Sequence, residues 1–320
     1  MSSQYSQIRI ALDTFNEVPR LSPAGHDGDH YEMSISFEGD LPVPVPEFET
    51  PPCVIVTPVI KDRLDGTTFN LVTPVCAARS ITANDFRVAV YSQDPDFGGI
   101  CALSWVAIQE SPDAAKPVPD ARFGVFPAME FAPFRDSAFG NRTFGDHGYG
   151  GTGLDSELAS VQLTATDTGV EGHSVAAVGI VYNAQGPQDS GPESGMTDHN
   201  IDISSGGCAF NWATFSRVSN LDPSREPWID TGAVAEAWFE AGGHPGDWHT
   251  WDVGFTARFA RPPTVLLTPT LAADIPERLD VAVVGVVQAT STAGFRLAAR
   301  SCDTHPGISG FNWIAIGDPA

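Results

Sequence analysis

Apolar positions along this chain fall in short runs, without the three-and-four spacing of a long amphipathic helix. Val265-Leu-Leu-Thr-Pro-Thr and Asp280-Val-Ala-Val-Val-Gly-Val-Val are β-branched runs bounded by turn residues, and each predicts a strand. Phe295-Arg-Leu-Ala-Ala-Arg-Ser-Cys-Asp predicts a third strand, and Gly310-Phe-Asn-Trp-Ile-Ala-Ile a fourth. Earlier segments echo them: Ser174-Val-Ala-Ala-Val-Gly-Ile-Val-Tyr, and Phe86-Arg-Val-Ala-Val-Tyr-Ser-Gln-Asp. The pattern predicts an all-β protein of antiparallel sandwiches with five or six strands each. One exception is the Ala-rich stretch Ala233-Val-Ala-Glu-Ala-Trp-Phe-Glu, which predicts a short helix.

The runs repeat. Cys101-Ala-Leu-Ser-Trp, Cys208-Ala-Phe-Asn-Trp and Ser309-Gly-Phe-Asn-Trp end alike, and each Trp is followed by a short apolar run. Upstream lie Val54-Ile-Val-Thr-Pro-Val, Val161-Gln-Leu-Thr-Ala-Thr and Val265-Leu-Leu-Thr-Pro-Thr. Val54 precedes Trp105 by 51 residues, Val161 precedes Trp212 by 51, and Val265 precedes Trp313 by 48. One β-rich unit written three times accounts for this, with units at 1–112, 120–218 and 226–320. A unit of roughly 100 residues can close its own core and is too long for a solenoid repeat. Pro-rich, polar stretches after the first and second Trp runs, 110–120 and 216–227, read as extended linkers. Gly140–Gly153 and Gln185–Thr197 read as loops, and the middle unit is the most diverged. The Trp at the end of each unit reads as core, because it stands in an apolar strand at fixed spacing.

Composition narrows the function. Forty acidic residues against seventeen basic ones give a net charge of −23, which repels phosphate backbones and argues against nucleic acid. No apolar run approaches bilayer length, so membrane insertion is not expected. Met1-Ser-Ser-Gln-Tyr-Ser-Gln lacks the basic and apolar regions of a signal peptide, which predicts cytoplasmic synthesis with reduced thiols. Release by another route stays open. The five cysteines show no metal-type spacing.

The third unit carries a family pattern. Phe255-Thr-Ala-Arg-Phe-Ala-Arg-Pro-Pro-Thr-Val precedes a β run, then come Gly294-Phe295 and finally Asn312-Trp-Ile-Ala-Ile. This resembles the H-type lectin domain, the unit of the snail agglutinins and of the C-terminal domain of discoidins, over roughly residues 228–317. The first unit matches more weakly, through Phe48-Glu-Thr-Pro-Pro-Cys-Val, Phe86 and Ser104-Trp-Val-Ala-Ile. The middle unit lacks the Pro-Pro element. The resemblance implies a six-stranded sandwich, assembly in threes, and binding of galactose or N-acetylgalactosamine near the subunit interfaces. Three units on one chain then imply an intramolecular pseudo-trimer, as a monomer or within a homo-oligomer.

The family's sugar-binding residues are mostly replaced. Where it places an Arg, this chain has Asp280, Ser174 and about Asn70; where it places a Trp-His pair, the third unit has Ser301, Cys302 and Asp303. In the first unit that pair falls near Gln93 and Asp94; in the third unit a family Tyr is replaced by about Gly307. Asp247, within Gly246-Asp-Trp-His, matches the family's acidic loop residue. Asp247 with Trp248 or Trp251 would supply the carboxylate and aromatic face that sugar recognition uses. These two Trp sit beside Gly, Pro, Asp and His in a predicted loop. The candidate carbohydrate-binding set is therefore Asp247, Trp248, Trp251, Asp280, Asp303 and Asp94.

Other chemistry is sparse. His26-Asp-Gly-Asp-His30 has ligand-capable side chains, so His26, Asp27, Asp29 and His30 are the weak metal candidates, for a hard cation such as calcium or for zinc. A plain surface turn explains the same residues. No nucleophile elbow, P-loop or dinucleotide fingerprint occurs, and catalysis is not expected. The expectation is a multivalent lectin for glycans or glycoconjugates that requires no cofactor. The alternative is a structural or adhesion protein on the same sandwich.

Overall fold

In the computed structural model, residues 8–15, 30–37, 48–60, 74–92, 102–110, 121–131, 159–166, 177–183, 193–198, 206–216, 228–240, 248–272, 283–301 and 306–320 are described. They form seventeen strands. The first six are β1 (Ile8–Phe15), β2 (His30–Ser36), β3 (Cys53–Val59), β4 (Pro74–Arg79), β5 (Asp85–Ser92) and β6 (Ala102–Glu110). The next five are β7 (Ala121–Phe131), β8 (Ala159–Thr166), β9 (Ala177–Asn183), β10 (Glu193–Asp198) and β11 (Gly206–Ser216). The last six are β12 (Trp228–Phe239), β13 (His249–Gly254), β14 (Thr264–Ala272), β15 (Val283–Thr290), β16 (Gly294–Ser301) and β17 (Gly307–Gly317). No helix occurs among the described residues. The described part of the protein is all-β with a sandwich-like architecture.

Three sheets carry the strands in the orders β1-β6-β3-β15-β16-β13, β10-β9-β14-β17-β12 and β2-β5-β4-β8-β11-β7. Pairing is antiparallel within each half of a sheet. The halves meet at parallel seams, so the sheets are mixed and not purely antiparallel as the strand pattern predicts. The seams are short: Val59 pairs with Val287, Ala77 and Ala78 with Ala165 and Thr166, and Thr270 to Ala272 with Val181 to Asn183. At the first seam the Ile60 amide also donates to the Val287 carbonyl at 2.9 Å.

The central strands are apolar on both faces, which is why the sequence reads there as continuous apolar runs. Along β6, Leu103, Trp105 and Ala107 face one core, while Val106 and Ile108 face another. Along β17, Phe311, Trp313 and Ala315 alternate in the same way with Ile314 and Ile316. Three cores result. One surrounds Trp105, one surrounds Trp313, and a third lies between them, built from Cys53, Ile55, Val106, Ile108, Ala213, Leu266, Ile314 and Ile316. Trp105 and Trp313 are buried, as their apolar strands predict.

The first two cores share an aromatic arrangement. Phe37 stacks on Phe86 with ring centroids 5.6 Å apart, and Phe255 on Phe295 at 5.8 Å. Trp105 meets Phe86 edge-on at 5.5 Å, and Trp313 meets Phe295 edge-on at 5.5 Å. Phe48 and Phe259 each close their set at 5.0 Å, against Phe37 and Phe255. The hairpin turns beside these rings also match. The Thr82 hydroxyl donates to the Asp85 carbonyl and accepts from the Asn84 amide. Ser291 does the same with Gly294 and Ala293.

Two stretches differ from their sequence-based expectation. Ala233–Glu240 is not a helix: 233–239 belong to β12, paired along β17 with a bulge between Val234 and Ala237. Helix propensity is a weak preference of a few tenths of a kcal/mol per residue, and burial of Trp228 and Phe239 on the Trp313 core outweighs it. Residues 193–197, expected within a loop, belong to β10, which pairs with β9 over Glu193–Asp198. Cys53 and Cys76 are buried and form no disulfide.

Candidate ligand-binding surface

β13 is an edge strand in the first sheet as described, and alternation divides its residues. His249, Trp251 and Val253 turn towards the Trp313 core. There the Trp251 ring lies 6.1 Å from His249 and 6.3 Å from Phe311. Trp248, Thr250 and Asp252 take the other face. Trp248 and Trp251 therefore cannot form one platform. Trp251 is not a loop residue: it lies within β13, and Trp248 directly precedes that strand. Gly, Pro and charged neighbours suggest a loop, but pairing with β16 extends the chain from His249 on.

Trp248 packs against the Trp105 core. The Arg300 guanidinium carbon lies 5.8 Å from the centroid of the Trp248 ring, a cation–π contact. Arg300 is only 2 % exposed. It shares a face of β16 with Ala298, which caps the Trp105 core, and with Arg296. Further out, Arg296 Nε donates to Asp252 Oδ1 at 2.8 Å, and its Nη2 to Oδ2 at 3.2 Å. The Arg296 hydrogen bond holds the Asp252 carboxyl below its ordinary value. The surface thus grades from a buried guanidinium on an indole to a solvated ion pair, which adds little stability.

A second carboxylate is held inside. Asp230, on β12, is fully buried. It accepts from the Thr256 amide at 2.6 Å and from the Thr256 hydroxyl at 3.0 Å. Burial raises its carboxyl above the ordinary value, and the Thr256 bonds oppose that rise. It fastens the turn after β13 to β12.

Of the expected site residues, Asp247, Asp280, Asp303 and Asp94 lie outside the described residues, as do the metal candidates His26, Asp27 and Asp29. His30 opens β2, and its side chain is outside the described ones. Among the described residues no group of three or more His, Cys, Asp or Glu gathers as a metal site. Ser301, which falls near the place where the H-type lectin pattern has its Trp-His pair, is buried.

The sequence reading missed Arg300, Asp230 and Trp238. Arg300 is one of two charges, with Arg296, within a mostly apolar strand run, a signal visible beforehand. Trp238 was hidden by reading its segment as a helix. On β12 it alternates with Ala237 and Phe239 and stands in solvent.

A scan against protein-family models and searches of curated proteins and of solved structures found no match.

Proposed function

We propose that this chain is a multivalent carbohydrate-binding protein built from three H-type-lectin-like units, 1–112, 120–218 and 226–320, closed into an intramolecular pseudo-trimer. One observation carries the reading. Each sheet draws its halves from two of these spans, and each pairing of spans occurs once: first with third, second with third, first with second. Such a cycle is how heterologous contacts close around a three-fold axis. The matching ring sets and turns of the first and third spans support common descent of those units.

Sugar binding enters through the resemblance. H-type lectins bind near subunit interfaces, and Trp248 of the third span packs, with Arg300 against its ring, on the Trp105 core of the first. Asp247, Asp280, Asp303 and Asp94 remain candidates, with Trp248 the aromatic partner. Trp251 is better read as core. Individual sugar sites are shallow and weak, and several on one body gain by avidity on clustered glycans. Calcium is a candidate ion for the acidic loops, including 26–30.

The second reading, a structural or adhesion protein on the same scaffold, is favoured by one observation. Ser301 is buried where the family presents sugar-binding residues.

A glycan array probed with the intact chain, with and without calcium, separates the two. Binding to terminal galactose or N-acetylgalactosamine supports the lectin. Silence in both conditions sinks it and favours the structural reading. A melting temperature indifferent to chelator counts against a calcium site.

A further inference from the structure

Trp238 stands in solvent, 45 % exposed, and no other large hydrophobic side chain among the described residues does so. It lies on β12, at the edge of the second sheet among the described strands. Phe239 beside it is buried at 1 %. Glu236, in the bulge just before the paired stretch, and Glu240, directly after β12, are exposed as well. Residues two apart on an extended chain are roughly 6.5–7 Å apart, so Glu240 stands beside the indole at the scale of one sugar ring, with Glu236 preceding it in the chain.

The group is oriented. The Trp238 indole N–H donates to Glu240 Oε1 at 3.0 Å, which fixes ring and carboxylate together. At the bulge, a Cβ on Gly310 would lie 3.3 Å from Cγ of Glu236. The bare glycine lets the Glu236 stem lie against β17.

Tryptophan usage points to the same unit. Trp105, Trp212 and Trp313 belong to the repeated strand, while Trp228, Trp238, Trp248 and Trp251 all fall after residue 226. Trp228 is buried, Trp251 belongs to the core, and Trp248 is half-buried with Arg300 against its ring. Trp238 is the one whose ring is offered outward.

We propose that Trp238, Glu236 and Glu240 form a binding platform for a neutral saccharide, one per chain. This rests on the carbohydrate-binding reading and gives it a site that the resemblance does not assign. The exposed indole receives the apolar C–H face of a pyranose, and the carboxylates accept from its hydroxyls. The same carboxylates, on a chain of net charge −23, repel sialylated and sulfated glycans.

The test is a glycan array probed with the intact chain and with its Trp238→Ala and Glu240→Gln variants. It is followed by fluorescence and calorimetric titration with the methyl glycoside of the strongest hit's terminal sugar. The expected result is binding of neutral glycans only, one methyl glycoside per chain, and affinity lower by about tenfold or more in Trp238→Ala. Trp238→Phe should retain part of the affinity, and melting temperatures should not move. Equal binding by the intact chain and Trp238→Ala overturns this platform and leaves the carbohydrate reading standing. Silence of the intact chain across the array overturns both.

Discussion

The Leu267 amide donates to the Thr57 hydroxyl at 3.0 Å, across 210 residues of chain. It has a counterpart one step around the molecule, where the Val56 amide donates to the Thr164 hydroxyl at 2.8 Å. Thr164 in turn donates to the Val56 carbonyl, and Asn211 to the Val54 carbonyl. Thr268, the third residue of the series, donates to Gln162. The reason lies in the pairing of β3 and β14. One edge of β3 is zipped to β6 throughout, but the other meets β15 only at Val59. The edge groups before that seam are buried without a strand partner. Buried backbone groups must be satisfied, and side chains from the next span satisfy them.

Thr57→Val keeps the shape and removes the acceptor, leaving the Leu267 amide buried and unmet. The expected cost is about 1–3 kcal/mol, read as a lower denaturant midpoint. Thr57→Ser, which keeps the hydroxyl, should recover most of it. No loss in the Val variant would mean that the Leu267 amide finds another acceptor.

Asp230 gives a pH dependence of fixed sign. Its carboxyl is raised above its ordinary value of 3.8 because burial disfavours the charge. From pH 3.8 upward the unfolded carboxylate ionises first, so the folded state holds more protons. Stability from this group is then full below 3.8 and falls as pH rises through the folded value. Asp230→Asn keeps an acceptor for the Thr256 amide and gains a donor for its hydroxyl. The variant should melt with a flatter pH profile and gain on the wild type as pH rises from 4 towards 7. A variant that loses stability at pH 7 would show that the charge itself is needed at the Thr256 turn.

Gly232 sits opposite Trp313 across β12 and β17. A Cβ at Gly232 would lie 2.5 Å from the Trp313 ring. Gly232→Ala must displace that indole, and overpacking of this kind costs about 1–3 kcal/mol. Strand propensity alone would favour alanine, so the sign of the measured change decides between the two effects. Gly124 opposite Trp212 is the same pairing in β7 and β11.

Much of this was legible beforehand. The β-branched runs became β14 and β15, and the Trp runs became β6, β11 and β17, because two-sided burial demands uninterrupted apolar side chains. The parallel seams were not legible. One to three residue pairs leave no pattern in composition, and Thr57 looks like any strand threonine. The Ala-rich part of β12 misled because its outer face carries Ala233, Ala235 and Glu236, residues that suit a helix. Its strand state comes from β17, far along the chain. Trp248 and Trp251 were rightly noticed as aromatic outliers, but only pairing with β16 reveals that they point apart.

The proposed closure makes a prediction about cut chains. If each sheet is completed by a neighbouring unit, a break in the stretch between β6 and β7 severs one connection and none of the pairing. A protease site introduced between Pro112 and Pro119, cleaved to completion, should leave a particle that elutes as the uncut chain. It should separate into two fragments only in denaturant. Residues 226–320 expressed alone should not be a stable monomer. They would expose the β15 edge that meets β3, and the central-core side chains Leu266, Ile314 and Ile316. Self-association into threes, or aggregation, is expected by light scattering. Fragments that part on cleavage under native conditions, or a third unit that is monomeric and cooperatively folded, would mean that the units stand alone and the cycle of shared sheets is wrong.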